Sequence, residues 1–187
     1  RTGYVFGGWY TDADLTQSYD FSSAVPDSAQ DFTLYAKWER DDAYCLVTYI
    51  LNGETVAVVP VADGESAEPR TAEGLILDGW YTDENYTSAY DFESAVTADI
   101  SLYAVGYTDG LKIANGTVTG YAGTDETVVI PAVYGGEAVT AIGSSAFMGN
   151  HTVVSVVLPD TVTSVGDYAF YDCEYLETIN LSDGIQS

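Results

Sequence analysis

Gly8-Trp9-Tyr10-Thr11-Asp12, followed by Tyr19-Asp20-Phe21 and Ser23-Ala24-Val25, recurs as Gly79-Trp80-Tyr81-Thr82-Asp83, then Tyr90-Asp91-Phe92 and Ser94-Ala95-Val96. The separation is constant at 71 residues, Trp9 to Trp80. Each copy closes on Leu-Tyr-Ala, as Leu34-Tyr35-Ala36 and Leu102-Tyr103-Ala104. A fixed period of this size predicts tandem modules, each a small supersecondary unit. Pro26-Asp27-Ser28 makes the loop of the first copy three residues longer than that of the second.

Within each copy the aromatic positions place the strands. Tyr4, Phe6 and Trp9 line a strand that turns at Gly7-Gly8, and Leu75, Leu77 and Trp80 repeat it. Thr11-Asp12-Ala13-Asp14 predicts a turn or helix start with Thr11 or Asp12 as N-cap. Leu34-Tyr35-Ala36-Lys37-Trp38 alternates and is the closing strand. Ahead of the second copy, Cys45 to Leu51 and Thr55 to Val61 read as two strands around Asn52-Gly53, a dipeptide that tolerates positive φ at both positions. Pro60 puts the returning strand at a sheet edge. The first copy lacks this hairpin, so residues 1–40 are expected to be a partial module with its N-terminal half missing and 44–106 a complete one, joined by the charged Arg40-Asp41-Asp42.

Residues 107–187 change character. Val139, Ile142, Gly143, Ala146 and Phe147 recur 23 residues later as Val162, Val165, Gly166, Ala169 and Phe170. Val153, Val156 and Leu158 recur as Leu176, Ile179 and Leu181. This period, with Leu-x-x-Leu-x-Leu spacing, predicts a leucine-rich-repeat solenoid in which each turn gives one strand to a parallel sheet. Thr127 to Ile130 would be the strand of an atypical first turn, with a longer exit loop at Val133-Tyr134-Gly135-Gly136-Glu137. The array stops at Ser187 inside the next turn, and the solenoid is expected to be truncated.

The closing motifs carry two resemblances. Arg1-Thr2-Gly3-Tyr4-Val5-Phe6-Gly7-Gly8-Trp9-Tyr10-Thr11 with Leu34-Tyr35-Ala36-Lys37-Trp38 resembles the Listeria–Bacteroides repeat, also called the internalin B-repeat. The second copy departs from it at Leu75, Leu77 and Gly106, the last standing where the closing Trp would be. Val162-Thr163-Ser164-Val165-Gly166-Asp167-Tyr168-Ala169-Phe170-Tyr171-Asp172-Cys173 and Ala141-Ile142-Gly143-Ser144-Ser145-Ala146-Phe147 resemble the BspA-type leucine-rich repeat. The resemblance implies β-grasp-like modules followed by a solenoid: a mainly β chain leaning to α+β. It also implies a bacterial cell surface, cell wall or extracellular setting, and adhesion or protein–protein interaction without a catalytic centre.

Composition fits that setting. Twenty-nine acidic against 5 basic residues give a net charge of −24, which repels nucleic acid phosphates and anionic lipid. No apolar run approaches the ~18 residues of a membrane helix. Arg1-Thr2-Gly3 lies mid-module, so the lack of a signal peptide says nothing about the parent protein. Cys45 and Cys173 lie in different units; two buried free thiols are expected, with an inter-unit disulfide as the alternative.

Chemistry-bearing candidates reduce to fold roles. Asp12/Asp14 and Asp83/Glu84 would need about six oxygens to hold calcium, whereas a capped turn needs one. Asp20 and Asp91 read as turn residues rather than a general acid/base pair. His151 has no second His or nucleophile partner and reads as a loop residue. Asn150 and Cys173 share one place in successive turns, where the side chain fills a buried bend. Sequons at Asn85, Asn115 and Asn150 carry no meaning expected for a bacterial chain. Trp9 and Trp80 read as core anchors rather than ligand platforms, and Trp38 is the freer residue. No cofactor, metal or catalytic residue is expected.

What remains is the sheet face of the solenoid. Thr127, Ser155 and Thr178 form one outward row, and Val129, Val157 and Asn180 another, the geometry by which solenoids bind proteins. The expected function is adhesion to a host, matrix or neighbouring-cell protein, with the repeats as stalk. The alternatives are a structural or self-associating array, or accessory modules of a larger secreted hydrolase. Oligomeric state is left open.

Overall fold

The computed structural model describes residues 1–22 and 32–180. The loop expected at residues 26–28, the Ser23-Ala24-Val25 match and Leu181 lie outside them. All regular structure among the described residues is β-strand, so the fold is mainly β and the α-leaning part of the expectation has no counterpart.

In the first repeat, β1 (Tyr4–Tyr10) pairs antiparallel with β2 (Tyr35–Arg40), with a bulge between Phe6 and Gly8. Gly8 takes φ +118°, a backbone state that glycine adopts without strain. The second repeat begins with the hairpin β3 (Tyr44–Leu51) and β4 (Glu54–Ala62). Its turn is Asn52-Gly53 with φ +51° and +84°, and Pro60 lies on the edge strand β4. Next come β5 (Ile76–Leu77), β6 (Ile100–Ala104) and β7 (Gly106–Tyr107). β3 runs parallel to β6, giving the order β4-β3-β6.

The β1–β2 ladder is repeated in the second copy, but broken. Leu77 faces Gly106 where Phe6 faces Trp38, and Tyr81 faces Tyr103 where Tyr10 faces Tyr35. Gly106 replaces a Trp because the volume is already filled. A Cβ there would meet methyls of Leu51, Leu75 and Leu77 at 3.0–3.1 Å. The Trp prediction splits along the same line. Trp80 is buried at 6% exposure, edge-on to Tyr49 of β3 and donating its indole N–H to the Arg70 carbonyl. Trp9 is 39% exposed and touches the rings of Phe6, itself packed on Trp38. Trp9 is therefore not a core anchor: among the described residues β1 and β2 form a two-stranded sheet, and no counterpart of β3 and β4 covers it.

Of the turn or helix start expected at residues 11–14, the structure takes the turn, a tight one formed in both copies. Leu15 N–H donates to the Asp12 carbonyl and Tyr86 N–H to that of Asp83, with Leu15 and Tyr86 both at φ +57°. The next amides bond to the aspartate side chains rather than continuing an i to i−4 ladder, which stops a helix from propagating.

The solenoid opens with an antiparallel hairpin, β8 (Leu111–Ala114) and β9 (Thr117–Tyr121), around Asn115-Gly116. Then follow β10 (Thr127–Val129), the short hairpin β11 (Val133–Tyr134) and β12 (Glu137–Ala138), and β13 (Ala141–Ile142). β14 (Ser155–Val157), β15 (Ser164–Val165) and β16 (Thr178–Asn180) complete the set. Each turn contributes two strands, not the single one expected from the period. β10, β14 and β16 form one parallel sheet; β9, β13 and β15 form a second, extended by β8. Between them lie Val118, Val128, Val139, Ile142, Val153, Val156 and Val162, all essentially inaccessible. Each such aliphatic contributes about 1.5–3 kcal/mol by burial. Phe147 and Phe170, one turn apart, stack at 5.1 Å.

Turns approach so closely at Gly166 that a Cβ would lie 2.5 Å from the Ser144 nitrogen, a backbone atom. Gly166→Ala is expected to destabilise the chain by about 1–3 kcal/mol. Gly120→Ala, whose Cβ makes ordinary contacts with the Lys112 side chain at 3.5 Å and the Ala146 carbonyl at 4.0 Å, should stay within about 0.5 kcal/mol. Urea denaturation measures both. In the same assay Trp80→Ala is expected to cost about 3–5 kcal/mol, and Trp9→Ala well below that.

Candidate functional site

The two rows read from the sequence lie side by side on the parallel sheet. Thr127, Ser155 and Thr178 are in register, and so are Val129, Val157 and Asn180. Val128 and Val156 alternate with them and point into the core, so strand geometry puts both rows on the other face. The upper row is tied together where Thr178 Oγ1 donates to Ser155 Oγ at 2.9 Å. In the lower row Val157 is 38% exposed. Asn180 is not free: its Oδ1 accepts from Leu158 N–H at 2.6 Å and its Nδ2 donates to the Leu158 carbonyl at 3.2 Å.

The lower row forms one wall of a cleft of about 560 Å³. Its other wall is the β3–β4 hairpin tip, Asn52 to Glu54, with Tyr86 from the second repeat. The sequence did not show this wall, because nothing in the period places one module against the next. The junction is fixed by short contacts. Asn52 Nδ2 donates to the Gly106 carbonyl at 3.0 Å, and Asn52 Oδ1 accepts from Gly106 N–H at 2.9 Å. Thr108, the one buried polar side chain among the described residues, covers the free edge of β10. It donates its N–H to the Val129 carbonyl, and its Oγ1 accepts from Val129 N–H at 2.8 Å.

The other candidates take structural places. Asp12 accepts from the amides of Thr16 and Gln17 and from the Thr16 hydroxyl; Asp83 does the same with Thr87 and Ser88. Asp14 and Glu84 are exposed, and Asp14 joins the cap through its backbone amide, which bonds the Asp12 carboxylate. Asp20 and Asp91 accept from the amides two residues on, Ser22 and Glu93. Asn150 Oδ1 takes the amides of Thr152 and Val153, and in the next turn the Cys173 thiol bonds the Phe147 carbonyl. Cys45 is buried and, like Cys173, a free thiol. His151 is exposed, 3.8 Å from the Asp172 carboxylate. No group of three or more potential metal-ligating side chains exists among the described residues.

The family model of the Listeria-Bacteroides repeat domain matches residues 1–37 and 46–105, and that of the BspA type leucine rich repeat region matches 130–187. Two proteins of Evansella cellulosilytica are similar. One, named "Putative membrane protein", is 38% identical over 109 residues, covering 56% of this chain and 16% of its own length. The other, named "Putative Gly-rich membrane protein", is 36% identical over 108 residues, covering 56% of this chain and 12% of its own. This chain thus spans less than a fifth of either relative. The crystal structure of a T. pallidum leucine rich repeat protein aligns at 36% identity and a TM-score of 0.37, over 37% of this chain and 33% of that one.

Three carboxylates of the two repeats are held below the ordinary range. In Asp12 the Thr16 amide is the main cause. In Asp83 partial burial opposes the shift, and the amides of Ser88 and Thr87 outweigh it. In Asp99 the Arg40 guanidinium leads, bound at 2.6 and 2.5 Å, followed by the Leu46 amide. A carboxylate depressed in the folded state stabilises fully above its unfolded pKa of about 3.9 and loses that contribution as pH falls through the folded value. Acid is therefore expected to loosen the repeats between pH 4 and lower values, read by Trp fluorescence, since all three Trp are in the repeats. Asp83→Asn should lower the thermal midpoint at pH 7 and flatten its dependence below pH 4.

Proposed function

From a chain that belongs to the Listeria–Bacteroides repeat family and runs on into BspA-type leucine-rich repeats, we propose a non-enzymatic adhesion segment of a bacterial cell-surface protein. The repeats serve as stalk, and the solenoid sheet presents Thr127, Ser155, Thr178, Val129, Val157 and Asn180 to a protein on a host, matrix or neighbouring cell. The supporting observation is the register of those rows on one exposed sheet face. Small hydroxyl and aliphatic side chains leave the backbone approachable, and Asn180 stiffens the lower row through Leu158. The acidic balance disfavours nucleic acid and favours a partner with a basic surface. Similarity to two proteins named as membrane proteins supports an extracellular or cell-wall location.

Self-association is the second reading, favoured by the exposed Phe6, Trp9 and Trp38 on the two-stranded β1–β2 sheet. The two are separable. Immobilised chain is expected to capture one or more members of a panel of surface and matrix proteins. Ser155→Arg should weaken that capture at least about tenfold, while Val58→Arg on β4 leaves it intact. A panel without binders, or capture indifferent to Ser155→Arg, refutes the adhesion reading. Sedimentation that shifts with concentration, and is abolished by Trp38→Ala, would establish the second.

A further inference from the structure

Beside the cleft described above, on the other side of Tyr86, the junction holds a second cavity of about 460 Å³. Four tyrosines line it: Tyr81, Tyr86, Tyr107 and Tyr134. They come from three separate places. Tyr107 is fixed by the β5–β7 pairing and donates its hydroxyl to Asp78 Oδ1 at 3.1 Å. Tyr134 stands on β11 and meets Tyr107 edge to face, centroids 5.5 Å apart at 80°. Tyr81 and Tyr86 form a second edge-to-face pair at 5.9 Å and 83°, with Tyr86 held in the turn that Asp83 caps. All four rings are half-buried. Val105 closes the floor, and the Gly135-Gly136 turn borders the opening without side chains.

Fold requirements do not account for this set. Tyr81 has Tyr10 as its counterpart, but Tyr86 stands where the first repeat has Leu15 and Tyr107 where it has Glu39, and Tyr134 lies outside the repeats. A joint built only for packing would close on its own rings, as the Leu51, Leu75 and Leu77 methyls close on Gly106. Here the rings line an open pocket of ligand size.

Charge indicates what the space takes. No Lys or Arg lines it, and Asp78 is its charged side chain. Asp78 is flanked by the acidic field of a chain with net charge −24. The Tyr107 hydroxyl is pushed up to about 12, first by burial and then by its bond to Asp78, so the ring stays neutral at any physiological pH. Neutral tyrosine faces attract cations, and they do so most strongly where water is excluded. An anion would meet Asp78, and a neutral ligand would gain nothing from the field.

We propose that Tyr81, Tyr86, Tyr107, Tyr134 and Asp78 form an aromatic cage for an ammonium-type organic cation, either a quaternary ammonium headgroup or a lysine side chain. The site is separate from the two rows of the solenoid sheet, so its failure and that of the adhesion reading are independent. The probes are choline chloride, N-acetyl-lysine methylamide, and 3,3-dimethyl-1-butanol as the uncharged shape match of choline. Each is titrated into the 187-residue chain carrying ring-labelled tyrosine and followed by NMR.

Choline or the lysine derivative is expected to saturate and to shift the cage rings, with the uncharged alcohol at least about fivefold weaker. The tighter of the two cations identifies the source. Asp78→Asn should weaken binding severalfold, and Tyr134→Leu, which leaves the Tyr107–Asp78 bond in place, should abolish it with an unchanged thermal midpoint. Equal binding of the uncharged alcohol, or no saturable shift from either cation, would each overturn the cage.

Discussion

The side-chain amide of Asn52 clasps the N–H and carbonyl of Gly106 and so fixes the point at which the chain leaves the repeat for the solenoid. Asn52 is available because the β3–β4 turn holds it at positive φ. Gly106 is reachable because it has no side chain where Leu51, Leu75 and Leu77 converge. From there the chain stays buried through Val105, Gly106 and Thr108. Thr108 then satisfies the edge of β10, which would otherwise present open backbone groups to water or to another strand. The connector is thus a buried strand-like segment and not an exposed linker. Both clefts at the junction owe their walls to it.

Internal duplication separates what the fold needs from what it merely contains. Asp12 and Asp83 repeat because each captures the amides of an irregular turn, and a repeated acid of this kind has a structural explanation that needs no metal. Trp9 and Trp80 repeat equally well, yet only Trp80 is buried. The same residue at the same place in a ladder is a core anchor or an exposed ring according to whether a hairpin lies over it. Tyr86, by contrast, is a place where the copies differ, and it stands between the two clefts.

Much of the architecture was legible because periodicity reports directly on burial. The 71-residue offset located both signature strands, and the 23-residue offset located Val156 and Ile179, while Val128, 28 residues before Val156, came from the atypical first turn. Asn52-Gly53 specified its hairpin through φ alone. The same dipeptide at Asn115-Gly116 marks a second hairpin, but it also reads as a sequon and the turn signal was overlooked. The second parallel sheet was missed because two-residue strands such as β13 and β15 are too short to show alternation. At Asp12 the sequence left turn and helix start open, because the side chain that caps a first turn can equally take the amides that would extend it. Least legible was the junction: Tyr107 and Tyr134 meet through tertiary packing between units, which no local period encodes.

One consequence of the β3–β6 pairing concerns force. The second repeat enters through β3 at Tyr44 and leaves through β6 at Ala104, and these neighbouring strands run parallel, Val47 against Ile100 to Leu51 against Ala104. Tension along the chain would pull them in opposite directions along their own axes. Their hydrogen bonds would then be loaded together in shear, not opened one after another from an end as in a hairpin peeled apart. Within the same unit β4, on the far side of β3 from β6, lies off the line of pull. The repeat therefore has the topology of a mechanical clamp, with its strongest direction along the path by which load would travel between the first repeat and the solenoid.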